Sequence, residues 1–237
     1  MSKFNEKIKS TFQTPPPERK DEFIRKYRNE WGVTDISPLQ LILSQAAYIQ
    51  KPVWIISVLV FIISILQIHA QGLETLTLVA MLMPFVSVVA VIDSFRSHRY
   101  KMGELENVTR FSVRGILFAK ISAIGASHII LILAATIALG RHGEFGYLLT
   151  GAFIIIPYLL SSVISMEMER TALGRKNAFL CVGVSAFVSS AVFIAHSYSD
   201  IIIQTTPGIW MICTAILIAA EMIEFKKMFR MEAYAWN

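Results

Sequence analysis

Titratable and polar residues inside apolar blocks are the places where this chain could do chemistry, because each is costly in hydrocarbon. They are few: Asp93, Lys120, His128, Glu221 and Glu224, the thiols Cys181 and Cys213, and serines such as Ser161, Ser162 and Ser165. Their spacing matches no hydrolytic or metal-binding pattern. Ser127 and His128 are neighbours, so on a helix they point about 100° apart. No G-x-x-x-x-G-K-[ST] phosphate cradle, H-E-x-x-H zinc pattern or G-x-S-x-G elbow occurs. The glycines Gly140, Gly143, Gly146 and Gly151 have no lysine after them, and the cysteines form no C-x-x-C pair. His69 and His196 have no third ligand pattern. No catalytic residue, metal site or cofactor is therefore expected in this chain. His128 is either a hydrogen-bonded packing histidine or, with Ser161 and Ser162, part of a translocation path. Lys120 stands one turn into its block and can reach the nearby interface. Asp93 is expected to pair with Arg96 or to orient the loop that follows it. Glu221 and Glu224 are expected at the interface beside Lys226 and Lys227.

The elements that must carry these residues are set by composition. Of 237 residues, 54% are hydrophobic and 16% charged, against about 25% charged in ordinary globular domains. Collagen, disorder and a secreted disulfide scaffold are excluded, and a compact soluble enzyme nearly so. Six apolar segments approach the ~20 residues that span a bilayer: 52–70, 75–92, 116–139, 147–165, 178–196 and 207–225. Pro84 and Pro157 fall mid-segment, where membrane helices tolerate proline. The predicted fold is all-α, with six transmembrane helices. Nine Lys and Arg precede the first segment, six lie from Arg96 to Lys120, three between the fourth and fifth segments and three after the sixth. Only Arg141 lies on the other side. The positive-inside bias then puts both termini in the cytoplasm of a cell-membrane protein. The net charge of +5 reads as topology and attraction to anionic lipid rather than nucleic-acid binding.

Residues 1–51 are largely polar, so no cleavable signal is expected. After the stiff Pro15–Pro17 run, Phe23, Ile24, Tyr27 and Trp31 share one helical face, with Arg19, Lys20, Arg25, Lys26 and Arg28 opposite. Such a basic amphipathic helix suits the headgroup plane; a soluble helix packed on protein is the other reading. Ser37-Pro38-Leu39-Gln40 is a capping-box start. It predicts a second helix over 38–50, an interfacial elbow before the first span.

The loop 93–115 is also patterned. From Gly103, the residues Leu105, Val108 and Phe111 recur at helical spacing. Glu104 and Glu106 stand near the start and Arg110 and Arg114 near the end, as the helix dipole favours. An apolar ridge presented to water needs a groove, so this helix either docks on a partner or packs on the elbow.

Gly103-Glu104-Leu105-Glu106, then Phe111-Ser112, then Ile116-Leu117-Phe118-Ala119-Lys120 resembles a pattern in type-2 ATP-binding cassette permeases. That class also has a cytoplasmic interfacial helix before its first span and a broken outer segment before its sixth, for which 198–207 offers itself. The resemblance implies a permease subunit of an ATP-driven exporter. Gly103, Glu104, Leu105, Glu106, Val108, Arg110 and Phe111 would dock a cytosolic ATPase subunit that binds ATP and magnesium. A second copy or a homologous permease would complete the path. The alternative is a membrane-anchored regulatory or sensor protein that binds a cytosolic partner through its N-terminal region.

Overall fold

The computed structural model describes residues 37–66, 73–96, 113–142, 146–171, 173–174, 177–197 and 207–234, together with Glu22. The chain divides into two units, Met1–Ser37 and Pro38–Asn237. In the first, Glu22 is helical and exposed and Ser37 is exposed. The predicted face of Phe23, Tyr27 and Trp31 lies outside the described residues.

The second unit is all-helical among its described residues: α1 (Pro38–Ala46), α2 (Lys51–Leu66), α3 (Leu73–Ser94), α4 (Val113–His142), α5 (Gly146–Arg170), α6 (Phe179–His196) and α7 (Pro207–Tyr234). Each of the six apolar segments corresponds to one helix from α2 to α7. Four stretches are long and apolar enough to cross a membrane: Glu74–Ser94, Gly115–Arg141, Gly146–Arg170 and Gly208–Met228. The apolar stretch of α6, Phe179–Ala195, is shorter. α1 and α2 meet at 89°, and reach that standard only if the bent pair is counted as one span. By length and composition these are the helices of a multi-pass membrane protein.

α1 starts at Pro38 as the capping pattern predicts, but it ends at Ala46 rather than at residue 50. The amides of Tyr48 and Ile49 bond back to the Gln45 and Ala46 carbonyls in a turn, and α2 restarts at Lys51. Pro52 therefore sits in the first turn of α2, where its missing N–H has no intrahelical partner to lose. The sixth segment does not stop at 225 either: α7 continues unbroken to Tyr234. Arg114, read as the end of the loop helix, belongs to the start of α4.

α3 and α5 form the centre. α3 packs on α5, α6 and α2, while α5 also packs on α7, α4 and α6. Val79, Ala80 and Met83 of α3 meet Phe153 and Ile154 of α5 in the main apolar cluster, which α2 joins through Val60 and α4 through Ile132 and Leu139. A second cluster seats Ile42 and Ala46 of α1 against Val53 of α2, Ala90 of α3 and Ala123 and Ile124 of α4. The outward faces are apolar: Phe187, Ile130 and Ile216 are 74%, 66% and 62% exposed. A soluble protein does not cover itself this way; hydrocarbon would. Glycine matters where α4 and α5 join. Gly146 has φ 68°, a left-handed turn that side chains resist. A Cβ on Gly140 would stand 2.8 Å from the Tyr147 ring.

Candidate functional site

Three clusters of polar groups tie the helices of the bundle to one another. The first surrounds His128, which is 2% exposed. Its Nε2 lies 2.9 Å from Ser57 Oγ on α2, and its Nδ1 lies 2.9 Å from Tyr158 Oη on α5. Ser57 also donates its single hydroxyl proton to the Val53 carbonyl at 2.7 Å. Ser57 must then accept from His128, which puts the ring proton on Nε2 and leaves Nδ1 to accept from the Tyr158 hydroxyl. Every proton in the chain from Tyr158 to His128 to Ser57 is accounted for. It ends on a backbone carbonyl, which cannot pass a proton on. The arrangement holds α2, α4 and α5 together; Tyr158 also meets the imidazole edge-on, with ring centroids 5.8 Å apart.

Beside this clasp lies a cavity of ≈ 10 Å³ lined by Ser57, Val60, Ser64, Met83, His128 and Ile132 among others. That is room for about one water, not for a transported molecule. Ser161 and Ser162 are buried as well. Ser161 donates to the Pro84 carbonyl on α3 at 3.3 Å, where Ser87 also donates. Ser162 donates to Glu221 Oε1 on α7 at 2.7 Å. The three residues expected to border a path are thus engaged with neighbouring helices.

The second place brackets the loop that leaves α3 and returns to α4. Lys120 Nζ lies 2.9 Å from Asp93 Oδ2 and donates to the Asp93 backbone carbonyl at 2.7 Å. Asp93 is 1% exposed. The ion pair seen at Asp93 is with Lys120, which reaches across from α4. Lys120 does more than extend toward water. The loop residues Gly103, Glu104, Leu105, Glu106, Val108, Arg110 and Phe111 lie outside the described residues, as does 198–206.

The third place joins α5 and α7. Glu224, 6% exposed, pairs with Arg170 at 3.2 Å and with Lys227 at 2.7 Å; Arg170 also pairs with Glu167. Both Lys226 and Lys227 are exposed, and it is Lys227 that forms the pair. The difference is helical phase: Lys227 stands three residues after Glu224 on the same face. Glu221, one turn deeper, faces α5 instead of the interface. The Cys181 thiol lies 3.4 Å from Glu169 Oε1, a contact no local motif announced. Among the described residues no group of three or more His, Cys, Asp and Glu could hold a metal ion.

Comparison with protein-family models, with curated proteins and with solved structures returned no match to this chain.

Proposed function

We propose that this chain is the transmembrane permease subunit of an ATP-driven exporter, working with a separate cytosolic ATPase through the loop around 103–112. The observation that carries this reading is the clasp at the base of that loop. Lys120 holds the last turn of α3 through both the side chain and the backbone carbonyl of Asp93, so the two helices that flank the loop are tied to each other. A push on the loop would reach α3 and α4 together instead of being absorbed by a slack connection. The resemblance of Gly103–Glu106 and Ile116–Lys120 to the exporter pattern, and the basic excess on one side, support the same reading.

In this proposal α2 to α7 are six spans and both termini are cytoplasmic. α1, with Leu39 and Leu43 exposed at 67% and 64%, is the interfacial elbow that its 89° angle to α2 would allow. The cavity of ≈ 10 Å³ beside His128 is too small for cargo, so the path would run where two copies, or a copy and a homologous permease, meet.

The test is co-expression with ATP-binding cassette ATPases encoded near this chain's gene, followed by affinity capture. Wild type should retain one ATPase, and excision of 103–112 should abolish capture while the helical circular-dichroism signal and monodispersity persist. Capture that survives the excision would sink the proposal. Capture lost only on removing residues 1–36 would favour the sensor reading.

A further inference from the structure

Glu221 stands out among the carboxylates of α7. It lies within the apolar stretch Gly208–Met228, seven residues from its charged end, which is roughly 10 Å along the helix. Glu224 has two cations and Asp93 has one; Glu221 forms no ion pair among the described residues. Ser162 satisfies one oxygen, at 2.7 Å. The other, Oε2, is buried and receives no hydrogen bond. An isolated carboxylate in hydrocarbon is so unfavourable that such groups take up a neutralising partner instead.

We propose that Glu221 is an intramembrane proton-binding site, and that the proton it carries is what allows α7 to pack against α5. Space selects the ligand. Oε2 is buried although the Glu221 side chain as a whole is only partly so; that oxygen has no coordination space around it for a metal ion or a cationic cargo group, whereas a proton needs no room. The neighbouring charges leave no other way to neutralise it. From α5, Glu221 faces the hydroxyl of Ser162; the Tyr158 hydroxyl, one turn earlier on α5, donates its hydrogen bond to His128. Arg170, at the end of α5, is held by Glu224 and Glu167. On α7 itself, Lys227 is held by Glu224, whose own carboxylate repels a second negative charge one turn away. From α4, His128 has both ring nitrogens engaged. With its carboxyl protonated, α7 lies closed on α5. Loss of the proton to water leaves a bare charge between the two helices, and relief requires α7 to move away or to rotate Glu221 toward the interface. Only the proton moves; no bond other than O–H forms or breaks. The site stands independently of the transporter proposal.

The experiment is difference infrared spectroscopy of the full-length protein in lipid nanodiscs, titrated from acid to alkaline pH in H2O and D2O. A protonated-carboxyl C=O band that shifts in D2O should be present at neutral pH in wild type and in Glu224→Gln. It should be missing in Glu221→Gln, and it should move to higher frequency in Ser162→Ala, which loses the hydrogen bond that weakens the C=O stretch. Thermal unfolding of the same samples supplies the second readout. Glu221→Gln, which mimics the neutral carboxyl, should unfold no earlier than wild type at neutral pH. Wild type should lose stability relative to Glu221→Gln as pH rises, because its folded form then releases a proton that the packing needs. Identical infrared spectra for wild type and Glu221→Gln at every pH would overturn the proposal. So would a Glu221→Gln protein that unfolds earlier than wild type, since the charged form would then be the stabilising one.

Discussion

Replacing Lys120 by methionine should destabilise the bundle strongly, although methionine is at home in a membrane helix. Lys120 supplies both the ion pair to Asp93 Oδ2 at 2.9 Å and the hydrogen bond to the Asp93 carbonyl at 2.7 Å. Asp93 is 1% exposed and Lys120 is 16% exposed, so water cannot take over the carboxylate when the ammonium goes. Removing one partner of a buried pair costs about 3–5 kcal/mol. The partial exposure of Lys120 places this pair near the lower end, about 3 kcal/mol, which is roughly a hundredfold in the folded-to-unfolded ratio. Asp93→Asn in the Lys120→Met background removes the stranded charge and should recover most of the loss. The assay is a double-mutant cycle on thermal unfolding in detergent, monitored by monodisperse protein remaining after heating. A Lys120→Met protein as stable as wild type, or a double variant whose loss is the sum of the two single losses, would refute the reasoning.

Other outcomes follow from the same geometry. Tyr158→Phe leaves His128 Nδ1 without its donor and should cost about 1 kcal/mol in the same assay, since interhelical hydrogen bonds in membranes average roughly 0.6 kcal/mol. His128→Ala should cost more, because it also empties a packed position and strands the Tyr158 hydroxyl. Gly140→Ala should destabilise by about 1–3 kcal/mol, as its Cβ meets Tyr147, whereas Gly125→Ala meets nothing within 4 Å and should be neutral. In a background lacking Cys181 and Cys213, a cysteine at Arg141 should react with an impermeant maleimide in intact cells. A cysteine at Lys226 should react only after permeabilisation, and the reverse pattern would invert the proposed topology.

Much of this protein is legible in its sequence because hydrocarbon imposes a one-dimensional rule. A helix that crosses a bilayer must be apolar along about 20 residues, so the long apolar stretches of α3, α4, α5 and α7 can be found without knowing their neighbours. The turn into α1 was equally local, carried by Ser37-Pro38 and the capping pattern. The helix ends were less so. α1 stops at Ala46, where a turn intervenes before Pro52, and α7 runs on past its charged residues to Tyr234.

The sequence also identified the residues that needed explaining, Asp93, Lys120, His128, Ser162 and Glu221, since an ionisable or polar group in an apolar block is conspicuous. It could not say what each of them faces. Helical periodicity gives the angle of a side chain about its own axis, but not which helix stands at that angle. That is why Arg96, near in sequence, looked a natural partner for Asp93, while Lys120 holds it from across the loop. It is also why Glu221 and Glu224 looked alike. Three residues apart on one helix, they fall on the same broad face; only the tertiary packing gives one of them two cations and the other a single serine.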